Sequence, residues 1–377
     1  MLPLNYNNQS LMPSISTKRL FTAGTILLNK TIHFENGKIT GIENALGTPT
    51  FENISAAFFD THINGGEKLY LTEEVSLEAI DDIFTASLKT GTFYVLPCVI
   101  TSSPENILKG LAAIKEYISL NPKSGVVGLH LEGPFLNPVK RGAHLAKYVR
   151  KPSNEELAGI LEAGKGIIKL ITIAPEQFTD EQIKMIQATG ICISAGHSDA
   201  TNVEANHAFD LGINLVTHLF NAMSGLHHRK PGLVGATLAR KEVWAPIILD
   251  GKHCDFDAAK VAFNAKPDKL FIISDALFLG QKKMKFKWEE FDATLINGEY
   301  INSDGNLAGS AVSMGECIKN AVEQVEIPLE TAIDMATERP AKAIGLAENI
   351  CKIDVGYPSI FTSFNDDLNT FEVLNMV

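Results

Sequence analysis

The chain has no apolar run long enough to span a bilayer, no long run of lysines and arginines, and no paired cysteines. Each absence removes a class of function. A membrane-spanning helix needs about 20 consecutive apolar residues, and no run approaches that length. The formal net charge is −11 over 377 residues. An acidic chain without a basic run is expected to bind neither nucleic acid nor an anionic membrane. An anionic substrate would have to meet local positive charge. Cys98, Cys192, Cys254, Cys317 and Cys351 are odd in number and form no CxxC pair. Three lie in or beside apolar strand-like runs, where cysteine acts as a small hydrophobe. This usage fits a reducing compartment. Residues 1–21 show no basic head followed by an apolar stretch, so no signal peptide is read there and the expected location is cytoplasmic. Neither GxGxxG nor a Walker A pattern occurs, so no nucleotide cofactor is expected. No GxSxG or QAC-like context supports a serine or cysteine nucleophile.

What the chain does have is a set of short apolar runs that each lead into one ionisable residue. VVGLHLEGP carries Glu132, ICISAGH ends in His197, INLVTHLFNAM carries His218 and LFIISDA carries Asp275. Each run reads as a buried parallel strand. A charge or imidazole where such a strand ends is expensive to bury without a partner, so four of them point to one shared site.

Strand-like runs at 56–63, 93–99, 126–132, 168–174, 191–196, 213–218, 245–250 and 270–276 alternate with helical stretches. Before them, RLFTAGTILLNKTIHFENGKITGIENA alternates apolar and polar positions around an Asn36-Gly37 turn, and the C-terminal tail has similar β character. The expected fold class is therefore α/β. It comprises a (β/α)8 TIM-type barrel over 54–347 and a small β-sandwich domain formed by both termini, 1–53 and 348–377. Chemistry in such barrels sits at the C-terminal strand ends. Those ends carry His62, Glu132, His197, His218, Asp250, His253 and Asp275, and of ten histidines only His33 and His207 lie well away from one.

Two neutral imidazoles and a carboxylate, His197, His218 and Glu132, suit one divalent ion and leave a position open for water. Zinc fits best, with iron, manganese or cobalt as alternatives. Gly133 and Gly196 let the backbone pass close to that site. Asp275 either caps the following helix or acts as the base that takes a proton from water and returns it to a leaving amine. Residues 217–236, THLFNAMSGLHHRKPGLVGA, form either a solvated loop or an anion site for a group such as phosphate, with Arg229 the best single candidate. His144, in KRGAH, could polarise a carbonyl. His253, in DGKH, could reach a substrate, and the small residues of LAGSAVSM, from Leu307, let backbone meet a ligand.

HLEGPF with KRGAH, SAGHSDAT, THLFNAMSGLHHRKPG, DGKH, SDA and LAGSAVSM occur here in one order and spacing. In them, from about Thr22 to Phe364, the chain resembles the N-acetylglucosamine-6-phosphate deacetylases of the amidohydrolase superfamily. The resemblance implies a (β/α)8 barrel with a small β domain built from both chain ends. It implies that Glu132, His197 and His218 bind the metal, that Asp275 is the acid and base, and that His144 orients and polarises the acetyl carbonyl. It assigns the sugar phosphate to Asn221, Ala222, Arg229 and His253, the sugar to Leu307, Ala308 and Gly309, and a further substrate contact to Ala143. It also implies a homodimer, with His228 an additional phosphate contact near the subunit interface. Many amidohydrolases carry His-x-His on the first strand for a second metal. This chain reads DTHINGG, so His62 is an additional candidate ligand and Asn64 stands where the second histidine would be. Asparagine is a poor zinc ligand, and the expectation is one tight ion with a weak or absent second site.

The expected reaction is deacetylation of N-acetylglucosamine 6-phosphate to glucosamine 6-phosphate and acetate, in amino-sugar catabolism or cell-wall sugar recycling. The galactosamine epimer is the nearest alternative. A cyclic amidohydrolase would show a lysine on the fourth strand, which here ends in Pro175. A non-catalytic sugar-phosphate binder would have no need of Asp275.

Overall fold

The computed structural model describes residues 13–376; the stretch read for a signal peptide falls partly outside them, at 1–12. The chain opens with strands β1 (Ser14–Thr22), β2 (Thr25–Glu35), β3 (Lys38–Asn44) and β4 (Phe51–Ala56). Asn36 and Gly37 both take positive φ, 49° and 75°, as a two-residue hairpin turn between β2 and β3 requires.

Eight strands follow in alternation with helices: β5 (Phe58–Ile63), β6 (Thr92–Ile100), β7 (Leu129–Glu132), β8 (Ile168–Ile173), β9 (Cys192–Ala195), β10 (Leu215–Val216), β11 (Ala245–Ile247) and β12 (Leu270–Ile272). They correspond one for one to the eight runs read from the sequence. β5 to β10 pair in chain order as one parallel sheet, and β11 pairs with β12. Two seams close the ring. Leu215 bridges Trp244, and Ile63 bridges Ala276. The result is a closed parallel barrel.

All nine residues of β6 and all four of β7 are buried, because helices cover one face and the barrel interior fills the other. The helices begin where side chains can satisfy their first free N–H groups. Ser103 caps Pro104–Leu120 with proline at its first position, and Thr179 and Thr201 form capping boxes. β10 and β12 are shorter than the apolar runs that contain them. His218 and Asp275 take φ of 31° and 49°, outside the strand region, so the ladder stops before each of them.

After β12 an antiparallel sheet is inserted, β13 (Lys285–Trp288), β14 (Phe291–Ile296) and β15 (Glu299–Ile301). Its Phe286, Phe291 and Tyr300 bury themselves with Tyr70, Leu277, Phe278 and Ala308. The sequence reading had no strands there. β16 (Ile360–Phe364) and β17 (Phe371–Asn375) return to the first four strands. They complete a six-stranded sheet in the order β17-β16-β4-β1-β2-β3 around Leu20, Ile32, Ile54 and Phe361.

Candidate active site

Glu132, His197 and His218 leave β7, β9 and β10 at the same end of the barrel and meet. Nε2 of His197 lies 3.2 Å from Oε1 of Glu132, Nε2 of His218 lies 3.1 Å from the same oxygen, and the two nitrogens are 3.1 Å apart. Their other ring nitrogens are spoken for. Nδ1 of His197 donates to the Lys140 carbonyl at 2.9 Å and Nδ1 of His218 to the Asn221 carbonyl at 3.2 Å. A carbonyl only accepts, so in the neutral rings the proton sits on Nδ1 and each Nε2 presents a lone pair. Two nitrogen lone pairs and a carboxylate oxygen then face one another with no proton between them. That arrangement repels unless a cation sits among them. The ligand-to-ligand edges of a tetrahedral zinc site are about 3.3 Å, close to the triangle found here. The three residues therefore fit a divalent ion.

Gly133 follows Glu132 with φ of 86°, and a Cβ there would come within 2.2 Å of Thr101 Oγ1. Thr101 Oγ1 is hydrogen-bonded to Nδ1 of His144 at 2.8 Å. That contact sets the imidazole with Nε2 toward Glu132, 3.6 Å from Oε2. Gly196 is equally confined, since its Cβ would meet Thr217 at 2.6 Å.

Asp275 is placed by the seam between the first and last barrel strands. Its N–H donates to the His62 carbonyl, and its own carbonyl accepts from Ser310. Beneath the seam Asp60 is buried and accepts from the N–H of His62 and from Ser274. The Asp275 side chain accepts from Asn64 Nδ2 at 2.8 Å through Oδ1. His62 Nε2 lies 3.2 Å from that same oxygen and 3.2 Å from Oε2 of Glu132. Burial opposes the charged form of His62, but the carboxylates of Glu132 and Asp275 outweigh it and raise the ring well above its usual range. Burial also works to raise Glu132. The His62 charge overcomes it and holds the carboxylate well below the ordinary value. Burial pushes the Cys98 thiol up to about 12.

A cavity of about 460 Å³ opens above these groups. Glu132, His144, His197, His218 and Asp275 line it, with Ala143, Asn221, Ala222, His253, Leu307, Ala308 and Gly309. His253 is held by Asp250, Nδ1 to Oδ2 at 2.6 Å. Burial opposes the His253 charge, yet the bond and charge of Asp250 raise it above its usual value. His62 lies buried beneath the cavity, outside its lining. Arg229 and His228 are not brought into it either. They are exposed on the turn where His227 pairs with Lys230. Sequence reasoning missed the apolar wall of Tyr70, Ile100, Leu277 and Phe291. It also missed the positioning contacts of Thr101 and Asn64. Phe291 comes from the inserted sheet, and no local pattern announced that it would fold back over the barrel mouth.

The amidohydrolase family matches residues 53–376. The chain is 35% identical over 308 residues to an N-acetylglucosamine-6-phosphate deacetylase of Haemophilus influenzae, covering 81% of this chain and 80% of that one. It is 33% identical over 351 residues to an N-acetylgalactosamine-6-phosphate deacetylase of Shewanella sp. strain ANA-3, covering 89% and 88%. Its fold is similar to the crystal structure of N-acetylglucosamine-6-phosphate deacetylase from Pasteurella multocida, with a TM-score of 0.88 and 31% identity over 95% of this chain and 97% of that one. Among the described residues no helix is long and apolar enough to cross a membrane. With this barrel, this cluster at its strand ends and these relatives, the chain belongs to the amidohydrolase family, as a hydrolase of amide bonds.

Proposed function

We propose that the protein removes the acetyl group from N-acetylglucosamine 6-phosphate, releasing acetate and glucosamine 6-phosphate. The observation that carries this reading is the triangle of Glu132, His197 and His218 with Asp275 and His144 on the same cavity. A divalent ion held by the triangle, zinc by its two imidazoles and one carboxylate, would polarise the acetyl carbonyl and acidify a water. The chain supplies the rest. Asp275 has Oδ1 engaged by Asn64, which leaves Oδ2 to take the proton of the attacking water. The same carboxyl then returns that proton to the departing amine nitrogen. His144, fixed through Thr101, holds the acetyl oxygen with Nε2 and stabilises the charge that develops on it. Asn221, Ala222, His253 and Ala143 hold the sugar phosphate, and Leu307, Ala308 and Gly309 face the ring. Arg229 and His228 add positive charge just beyond Asn221 in the chain, and a second protomer would bring such a turn close to a neighbouring site. The proposed assembly is thus a homodimer, in the cytoplasm, with residues 1–53 and 348–377 as one domain and 54–347 as the barrel. The galactosamine epimer is the second reading, favoured by the Shewanella relative.

The test is acetate release from both N-acetylhexosamines, with and without the 6-phosphate, by wild type and Arg229→Ala. Turnover of the 6-phosphates alone, with a raised KM in Arg229→Ala, is expected. Equal activity on unphosphorylated sugars would sink the phosphate assignment.

A further inference from the structure

The lining of the cavity divides by chemistry. One part carries the charged and polar groups of the reaction, and another faces the sugar and its phosphate. The remainder is an apolar wall of Tyr70, Ile100, Leu277 and Phe291. We propose that this wall is an acyl pocket and that Phe291, which closes it, selects a two-carbon acyl group over longer ones. The proposal rests on the reading of the protein as a deacetylase of amino-sugar phosphates and names what limits the acyl group it removes.

The wall stands beside the reacting carbon. Ile100 on β6 is the register partner of Glu132 on β7, so both side chains leave the same face of the sheet. The next residue, Thr101, holds His144. Leu277 lies two residues beyond Asp275. The acetyl carbon carries three substituents. Its oxygen goes to His144, and its nitrogen to Asp275 and the sugar. The third, the methyl, lies trans to the sugar carbon across a planar amide. It therefore points away from the residues that face the sugar, and the apolar wall is the lining left to receive it.

That wall is also sealed. Tyr70 and Phe291 are buried with ring centroids 6.0 Å apart, and the Phe286 ring packs 5.1 Å from the first and 5.6 Å from the second. The turn leading into Phe291 is clasped from outside. Lys147 pairs with Glu289 at 2.8 Å and Glu290 at 2.9 Å, and Tyr148 donates to Glu289 at 3.2 Å. Lys147 and Tyr148 belong to the segment that carries His144. A close-packed aromatic wall has little slack for an added methylene.

The experiment measures kcat/KM for release of the acyl acid by the full-length, metal-loaded protein. The substrates are the N-acetyl, N-propionyl and N-butyryl forms of glucosamine 6-phosphate and of its galactosamine epimer. Wild type should lose about 10- to 200-fold for each added methylene. Phe291→Ala should raise the ratio of butyryl to acetyl turnover about 10-fold or more. A ratio measured within one protein does not depend on the fraction folded, so general damage does not imitate this shift. Phe291→Leu reads the same ratio if the alanine variant fails to fold. A wild type that cleaves all three acyl groups alike overturns the proposal, as does a variant ratio equal to that of wild type. Discrimination seen only on the galactosamine series would overturn the glucosamine assignment and keep the pocket. No acid released from either series would overturn the deacetylase reading and the pocket with it.

Discussion

Asn64 Nδ2 donates to Oδ1 of Asp275 across 2.8 Å, from the first barrel strand to the last. The position that looks from the sequence like a lost metal ligand thus orients the carboxylate. Removing the amide frees Asp275 to rotate away from the attacking water. Asn64→Ala should lower kcat about 10- to 100-fold, the range for partners that orient a site residue, with KM little changed. An equal fall in protein yield and kcat would mean that Asn64 acts only on folding.

Asp275→Asn removes the proposed proton acceptor and keeps the shape. Turnover should drop about 100- to 10,000-fold, the contribution of a positioned base. The ion held by Glu132, His197 and His218 should stay. If that ion is lost as well, Asp275 belongs to its coordination rather than to proton transfer.

Gly133→Ala tests the fit around His144. The new Cβ would stand 2.2 Å from Thr101 Oγ1 at a φ of 86°. Both the clash and the backbone are unfavourable, and a loss of about 1–3 kcal/mol is expected by denaturant titration. The surviving folded fraction should also show a lower kcat, because Thr101 holds His144. Full activity per folded molecule would show that the Thr101 contact does not matter.

Lys266 gives a prediction about pH. It is buried, and Nζ donates to the carbonyls of Thr237 at 3.1 Å and Arg240 at 2.6 Å, at the C-terminal end of helix Gly232–Ala239. Burial pulls its pKa from 10.5 down to about 8. Between those values the unfolded chain holds a proton that the folded chain has released. Stability contributed by this group therefore rises as pH climbs from about 8 toward 10.5. Lys266→Met should lack that rise. Unfolding free energies of the two proteins at about pH 7 and about pH 9.5 would show it, and identical slopes would refute it.

The sequence made the barrel legible because buried parallel strands read as short apolar runs, and all eight are present. It placed Glu132, His197 and His218 where such runs end, and in the structure the three side chains meet. Arg229 is different. It reads as the strongest anion contact of its loop, yet it is exposed outside the cavity, since loop composition says nothing of where the loop points. The wall of Tyr70 and Phe291 was illegible for another reason. Their contact spans 221 positions of chain and depends on how the inserted sheet folds back. Cys98 was read as a small hydrophobe, which its burial supports, but only the fold reveals that it faces a carboxylate.

His197, His218 and Asp275 hold φ of 47°, 31° and 49°, a left-handed conformation that side chains with a Cβ resist. Each such residue stores about 1 kcal/mol or more. The side chains proposed for metal binding and proton transfer thus stand on backbone that other parts of the barrel must keep bent. A library screened for heat resistance alone would drift toward glycine at these three positions and discard the chemistry as it did so. Robustness and turnover are opposed here at the level of single dihedral angles, and selection for one must be guarded by an assay for the other.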